Sequence, residues 1–164
     1  MTLVSTHWLN KNLSKVKIID CSWHMPSTHR DGYVEYLQEH ISDAIFFDLD
    51  KNSELNTDLP HMLPGTTYFQ KAVSDLGITN EDKIVIYDNS DVFSACRCWF
   101  TFFYFGHDPK KLSVLDGGLK KWKLENKTFS KTIRPIKKSN YLANEQKDLV
   151  KNITEIEKNI IDQK

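Results

Sequence analysis

The chain has 164 residues, which is enough for one domain with a hydrophobic core and short for two. Lysine plus arginine and aspartate plus glutamate each number 22, and this balance of charge favours neither nucleic acid nor a membrane surface as a partner. The three cysteines lack a C-x-x-C spacing, and the sequence has neither a signal-peptide pattern nor a bilayer-spanning run, so we expect a cytoplasmic protein without a disulfide framework or a zinc site.

The first half of the chain predicts two buried strands separated by a helix. Ser5 can cap a short amino-terminal helix, and residues 16–20 form an apolar run that is typical of a buried strand. Apolar side chains at helical spacing then indicate a helix over residues 31–40, and residues 44–47 follow as a second strand. Residues 48–64 form a long polar loop, and loops of about this length are usually functional or disordered.

The second half repeats the alternation of helix and strand. Thr66 can cap a helix that Gly77 closes, and strands follow at residues 84–87 and 112–115. Between these strands, residues 94–105 are apolar nearly all round, so a helix here must be packed on most sides. The chain therefore predicts an α/β domain with a parallel sheet of about four to five strands and helices on both faces.

The composition changes abruptly after Phe129. The next residues are polar and include Pro135, which is typical of a linker. An amphipathic helix follows, with an apolar stripe formed by Leu149, Ile153, Ile156 and Ile160. We therefore expect residues 1–135 to form the domain and residues 136–164 to form a linker plus one helix.

The loop after the strand at residues 84–87 is the first candidate for a functional site, because ligands of parallel α/β folds bind at the carboxyl ends of the strands. Asp88 and Asp91 in this loop can bind a cation or accept backbone N–H groups. We favour the second role, since aspartates commonly stabilise turns in this way. No metal site and no cofactor is predicted. The loop consists of Asp88, Asn89, Ser90, Asp91, Val92 and Phe93.

None of the three cysteines is predicted to be a reactive thiol. Cys21 lies just past a strand end, but no glycine-rich or turn-forming cradle follows it, so we favour a small buried side chain. Cys96 and Cys98 point to different sides of the same predicted helix and cannot share a ligand. We interpret both as core residues.

Six separated motifs occur in one order along the chain: IIDCSWHMP, EHISDAIFFDLD, LPHMLPG, IVIYDNSDVFSACRCWF, FGH and VLDGGLKKW. Together they resemble the amino-terminal domain of the two-domain rhodanese-type sulfurtransferases. The pair FFDLD and PHMLP is more similar to the 3-mercaptopyruvate sulfurtransferases than to the thiosulfate-specific enzymes. The resemblance covers residues 3–135, and the tail resembles the interdomain linker and the first helix of a second rhodanese domain.

The resemblance implies a sulfurtransferase in which a cysteine of the second domain takes sulfur from a donor as a persulfide and passes it to a thiol or cyanide. Such a site needs a thiolate of lowered pKa and backbone N–H groups that face the anion. The equivalent strand end here carries Asp88, a hard oxygen nucleophile with no persulfide state, and Asp91 would repel an anionic donor. We expect this loop to be a degenerate copy of the site and the chain alone to be inactive.

Asp50 and His61 match an aspartate and a histidine that the 3-mercaptopyruvate enzymes present from the first domain toward the cysteine of the second. In that family they are proposed to form a relay with a serine of the catalytic loop. A histidine oriented by an aspartate can move a proton near neutral pH, so the resemblance implies an auxiliary catalytic role when a second domain is present. Arg97 matches an arginine of the family, and we expect it to form a structural ion pair with a carboxylate near the loop.

Two functions remain open. The first is the non-nucleophilic half of a sulfurtransferase acting on a small sulfur-containing substrate, 3-mercaptopyruvate or thiosulfate, with a second rhodanese domain or a second copy of the chain against an exposed interdomain face. The second is a non-catalytic rhodanese-like module that recognises a partner protein. The half-enzyme predicts an exposed apolar interface, whereas the module predicts a self-sufficient surface.

Overall fold

A parallel sheet forms the centre of the structure, a computed structural model that describes residues 2–162 of the chain. The strands are β1 (Thr2–Val4), β2 (Lys17–Asp20), β3 (His40–Ile41), β4 (Ala44–Phe46), β5 (Ile84–Tyr87), β6 (Leu112–Leu115) and β7 (Phe129–Ser130). Five of them form one sheet in the order β1-β6-β5-β2-β4, in which every neighbouring pair is parallel. β3 and β7 pair antiparallel as a separate ribbon. The predicted α/β class and parallel sheet are confirmed.

The helices begin and end close to the predicted positions. The predicted cap at Ser5 is confirmed, because its Oγ accepts the backbone N–H of Trp8 at 3.1 Å. The predicted cap at Thr66 is wrong, since this residue is the first of its helix and its hydroxyl donates to Glu145. No helix among residues 2–162 is long and apolar enough to cross a membrane. The helices are α1 (Thr6–Asn12), α2 (Gly32–Gln38), α3 (Thr66–Asp75), α4 (Ser94–Tyr104), α5 (Gly118–Leu124) and α6 (Ile153–Asp162).

Two hydrophobic cores, one on each face of the sheet, receive alternate side chains of the strands. On β5, Ile84 and Ile86 belong to the core built with α3 and α4, whereas Val85 and Tyr87 belong to the core built with α1, α2 and α5. This alternation follows from the two-residue repeat of a strand. Because helices cover both faces, all four residues of β5 are buried, as expected for a central parallel strand.

Helix α4 is fully buried along only one face. The prediction that it is packed on most sides is confirmed, because Cys96 is the one exposed residue of the helix and others outside the buried face, such as Arg97 and Phe100, are half-buried. The buried face carries Ser94, Ala95, Cys98, Thr101 and Phe102.

The segment after residue 135 continues the packing of the domain as far as Gln146. Tyr141 is completely buried in the core beside α3 and α4, and its hydroxyl lies 3.3 Å from Nδ1 of His107. Backbone N–H groups of this segment donate to Ser74 Oγ and to the carbonyl oxygen of Tyr104. That the chain after residue 135 leads into a second domain stays a prediction. Residues 139–146, however, pack against the α/β domain that precedes them.

Candidate functional site

The loop from Asp88 to Phe93 leaves the carboxyl end of β5 and leads directly into α4. Asp88 Oδ2 accepts the backbone N–H of Ala95 at 2.7 Å and lies 3.3 Å from Ser94 Oγ. Burial raises the pKa of the Asp88 carboxyl, although the N–H bonds from Ala95 and Ser90 lower it. Asp88 therefore satisfies the N–H of Ala95 in the first turn of α4 and that of Ser90 in the loop, which is the role predicted for a turn-stabilising aspartate.

The next two residues of the loop are tied to the end of β2. Asn89 donates its backbone N–H to Ser22 Oγ at 2.8 Å, and the same hydroxyl donates to Asp20 at 2.6 Å. Ser90 Oγ accepts the backbone N–H of Trp23 at 2.9 Å. The backbone N–H groups of Asn89 and Trp23 are thus used within the protein.

The remaining charged residue of the loop, Asp91, pairs with cations on both sides. Lys120 of α5 donates to it, and Arg30 lies 3.9 Å away. The hydrogen bond from Lys120 lowers the pKa of Asp91. Arg30 in turn binds Glu35 through two bonds of 2.7 Å, and Asn89 donates to the same carboxylate at 2.9 Å. The loop is thereby fixed to α2 and α5.

The end of the loop presents apolar side chains to the outside. Val92 is exposed, and Phe93 is 73% exposed with a backbone φ of 53°, in the left-handed region that few residues other than glycine adopt. Such a conformation costs of order 1–3 kcal/mol and persists only where the surrounding structure imposes it. The loop therefore ends in a strained turn that holds an aromatic ring in solvent.

The predicted pair of Asp50 and His61 lies together in the long loop after β4. His61 Nε2 is 2.7 Å from Asp50 Oδ1. Trp23, just past the end of β2, donates its indole N–H to both oxygens of Asp50 at 3.0 Å. The Trp23 and His61 rings also meet edge to face, with centroids 4.7 Å apart. This triad of Trp23, Asp50 and His61 stands at the carboxyl edge of the sheet, where ligands of α/β folds bind.

Arg97 does not form the predicted ion pair. Its guanidinium donates to the backbone carbonyl of His61, and no carboxylate among residues 2–162 lies within ion-pair distance of it. It also lies over the ring of Phe100, 5.9 Å from the centroid. Burial lowers the pKa of Arg97, since no anion compensates the desolvation of its charge. The prediction failed because the sequence does not reveal that a backbone carbonyl occupies the place of a carboxylate.

The cysteines differ in their surroundings. Cys21 is completely buried, and burial, together with a hydrogen bond to Cys98, raises the pKa of its thiol well above the usual range. Cys98 is buried as predicted, but the prediction that Cys96 is a core residue is wrong, because its side chain is exposed. Burial also raises the pKa of Cys96, so neither Cys21 nor Cys96 is the thiolate of lowered pKa that sulfur transfer requires.

Two cavities lie at opposite ends of the sheet. The larger, of about 710 Å³, adjoins Lys17 and Ala44, where β2 and β4 begin. The smaller, of about 250 Å³, adjoins Trp23, Asp48 and Asp50 at the carboxyl ends of the same strands. We assign the functional site to the smaller one, because Trp23 and Asp50 of the triad line it. Residues 2–162 hold no group of three side chains suited to a metal ion.

Trp23 was not among the residues predicted for the site. The sequence does indicate its position, because Trp23 follows Asp20, the last residue of β2, by three positions. It therefore lies at the same edge of the sheet as the predicted pair of Asp50 and His61. A tryptophan at such a position offers an N–H donor beside a large apolar ring.

Comparison with known proteins gives a consistent assignment. A family model for the rhodanese-like domain matches residues 5–125. The chain is 48% identical over 123 residues to thiosulfate/3-mercaptopyruvate sulfurtransferase 1, mitochondrial, of Arabidopsis thaliana, an alignment that covers 74% of this chain and 32% of the relative. It is 34% identical over 166 residues to 3-mercaptopyruvate sulfurtransferase of Rattus norvegicus, with 96% of this chain and 55% of the relative covered.

Among solved structures, the chain is similar to the crystal structure of SseA from Escherichia coli, one of the 3-mercaptopyruvate sulfotransferases. The TM-score is 0.92 at 29% sequence identity, and the match covers 99% of this chain and 63% of that one. The chain thus spans between 32% and 55% of the length of the curated relatives described above.

Proposed function

The chain belongs to the rhodanese-like domain family, as its motifs predicted, and we propose that it is the non-nucleophilic, amino-terminal half of a two-domain sulfurtransferase. In this role it forms one wall of a cleft in which a second rhodanese domain transfers sulfur from 3-mercaptopyruvate or thiosulfate to a thiol or cyanide. The observation that carries the proposal is the Asp50–His61 pair at the carboxyl edge of the sheet, with 2.7 Å between Nε2 and Oδ1.

The residues of the degenerate loop support the division of labour between two domains. The strand-end position carries Asp88, whose carboxylate caps α4 and has no persulfide state. Sulfur acceptance therefore needs a cysteine from outside this chain.

His61 supplies the chemistry that this half can contribute. Desulfuration of 3-mercaptopyruvate leaves a pyruvate enolate, which must gain a proton. An imidazole held by a carboxylate can deliver that proton near neutral pH, and such general acid catalysis typically contributes 10²–10⁴-fold in rate. Asp50 borders the cavity of about 250 Å³, which gives a substrate room beside this member of the pair.

The exposed apolar surface also supports the half-enzyme over the interaction module. Phe93 and Cys96 are exposed close to Arg97, and Met62 is exposed next to His61. All ten residues of α6 are exposed, including Ile153, Ile156, Ile160 and Ile161. A self-sufficient module has no need for this apolar surface, whereas a domain that packs on a second one does.

The proposal predicts that the purified chain alone forms no thiocyanate from 3-mercaptopyruvate and cyanide. Activity that is lost in Cys21→Ala would contradict both this prediction and the assignment of Cys21 as a buried side chain. In size-exclusion chromatography, the chain mixed with the remaining part of the rat relative, expressed separately, should migrate as a complex and gain thiocyanate formation.

The mixture allows a sharper test of His61. His61→Gln should lower the turnover of the complex by roughly 10²–10⁴-fold, whereas His7→Gln, at an exposed histidine of α1, should leave it unchanged. A mixture that neither associates nor gains activity would favour the interaction module. Elution of the chain alone as a dimer would instead show that its apolar surface pairs two copies.

Localisation in the cytoplasm is part of the proposal. The proposed localisation is supported by the three cysteines, because all of them are free thiols, as is usual in a reducing compartment. One of the relatives is a mitochondrial protein by name.

A further inference from the structure

We infer that His61 exchanges its proton through Nδ1, and that Trp23 is the positioning residue that fixes this choice by holding Asp50. The inference rests on the proposed function, because it states how the pair works within the proposed cleft. Beyond the proposed function, it specifies the ring nitrogen of His61 that exchanges a proton with the reactant and names Trp23 as the residue that positions Asp50.

The hydrogen bond between His61 and Asp50 determines which ring nitrogen of His61 carries the proton. An ionised carboxylate only accepts hydrogen bonds, so Nε2 of His61, 2.7 Å from Asp50 Oδ1, carries a proton. In the neutral ring the other nitrogen, Nδ1, is then the one with a free lone pair. Within residues 2–162 nothing hydrogen-bonds to Nδ1, and with 23% of its surface exposed the His61 side chain is partly open to solvent.

This arrangement is the reverse of the Ser-His-Asp triad of serine proteases, in which the aspartate binds Nδ1 and Nε2 faces the nucleophile. Here the carboxylate holds Nε2. A group that exchanges a proton with His61 must therefore lie on the Nδ1 side of the ring.

Trp23 fixes the carboxylate that makes this choice. The side chain of Asp50 is 66% exposed, and an exposed aspartate held by one bond alone would rotate about its side-chain torsions. The indole N–H of Trp23 lies 3.0 Å from each of its oxygens, and the indole ring packs perpendicular to the His61 ring with centroids 4.7 Å apart. One residue thus restrains both members of the pair.

Arg97 holds the backbone of the same histidine. His61 has a φ of 53°, and its carbonyl oxygen accepts from the guanidinium of Arg97 on α4. A left-handed residue in a loop needs such an anchor, because the conformation is unfavourable for a side chain with a Cβ. The ring is therefore fixed at its backbone by α4 and at its Nε2 by Asp50.

The proton step follows from this geometry. The imidazolium donates its Nδ1 proton to the pyruvate enolate, which becomes pyruvate. His61 is left neutral, with Nε2–H still bonded to Asp50. The ring regains its Nδ1 proton from the acceptor thiol, which becomes the thiolate that takes the sulfur. Asp50 stays ionised throughout and transfers no proton.

The test uses the ¹⁵N-labelled full chain alone. Two-bond ¹H–¹⁵N correlation spectra of the imidazole, assigned with His61→Gln, should show the Nε2–H tautomer for neutral His61. Exchange of this proton with water should be at least about tenfold faster in Trp23→Phe, as expected when a hydrogen bond to a charged group is lost. Trp8→Phe, at an exposed tryptophan of α1, is the control. An Nδ1–H tautomer, or unchanged exchange in Trp23→Phe, overturns the inference.

An independent test uses the active mixture of this chain with a separately expressed second rhodanese domain. Trp23→Phe should lower turnover by roughly tenfold to a hundredfold with little change in KM, since misplacement of a catalytic group acts on the chemical step. Full turnover in Trp23→Phe overturns the inference and leaves the proposed function intact. Failure of every mixture overturns the proposed function instead, and the spectra of the chain alone then decide the tautomer.

Discussion

The tail of the domain offers the most direct test of how this fold is held together. Tyr141 has no exposed surface and packs with Phe69 and Phe102, at ring-centroid distances of 6.0 and 6.3 Å. Replacing a large buried aromatic side chain by alanine removes its burial energy and leaves a cavity, at a cost of about 3–5 kcal/mol. We therefore expect Tyr141→Ala to lower the free energy of unfolding by this amount, although a polar linker was predicted here.

Urea denaturation followed by circular dichroism gives the free energy of unfolding of each variant. Tyr141→Phe removes only the hydroxyl, 3.3 Å from His107 Nδ1, and should cost about 0.5–1.5 kcal/mol. Leu142→Ala is the matched control, because the neighbouring side chain is 64% exposed and should change stability by less than about 0.5 kcal/mol. A loss below about 1 kcal/mol in Tyr141→Ala would refute the reasoning and return the segment to the role of a linker.

Three further predictions concern a glycine of α5, a histidine and a thiol. Gly118→Ala should lower the free energy of unfolding by at least about 1 kcal/mol in the same assay. The reason is that Gly118 has a φ of 54° and that a Cβ there would lie 2.7 Å from the carbonyl oxygen of Asp88. Gly65→Ala is the control, because a Cβ at Gly65 would meet open space. Burial lowers the pKa of His107, so the unfolded chain binds a proton at pH values where the folded chain does not. The free energy of unfolding should then fall as pH drops below about 6.5, and His107→Gln should flatten this dependence; equal slopes would contradict the assignment. Cys96 should react with a thiol reagent in the folded chain, and the other two thiols only after unfolding; more than one fast thiol would argue against the buried core.

Local patterns in the sequence were sufficient for most of the fold. The strands at residues 84–87 and 112–115 coincide with β5 and β6, because each is a short apolar run between turn signals. Gly77 ends α3 as predicted, with a φ of 67° that suits glycine at this position. These features depend on neighbouring residues along the chain.

The failures involve partners that are distant along the chain. β1 has only three residues and exists because it pairs with β6, more than a hundred residues later. Tyr141 lies in a polar stretch, and nothing local indicates that its ring enters the core. Arg97 was correctly placed on a helix, but its partner is the carbonyl of His61, which composition and spacing do not reveal. Sequence reasoning therefore placed the pair of Asp50 and His61 in one site but not the residues that hold it.

Under the proposed function, the loop from Asp88 to Phe93 differs from a sulfur-accepting site in its hydrogen bonds as well as in the side chain at position 88. A persulfide site needs backbone N–H groups that are free to face an anion. Here the N–H of Ala95 donates to Asp88, that of Asn89 donates to Ser22, and that of Trp23 donates to Ser90. A cysteine in place of Asp88 would supply a thiol and at the same time remove the acceptor that caps α4. It follows that the loop contributes to stability, whereas in the proposed function the chemistry of this edge depends on Nδ1 of His61, which has no hydrogen-bond partner among the described residues.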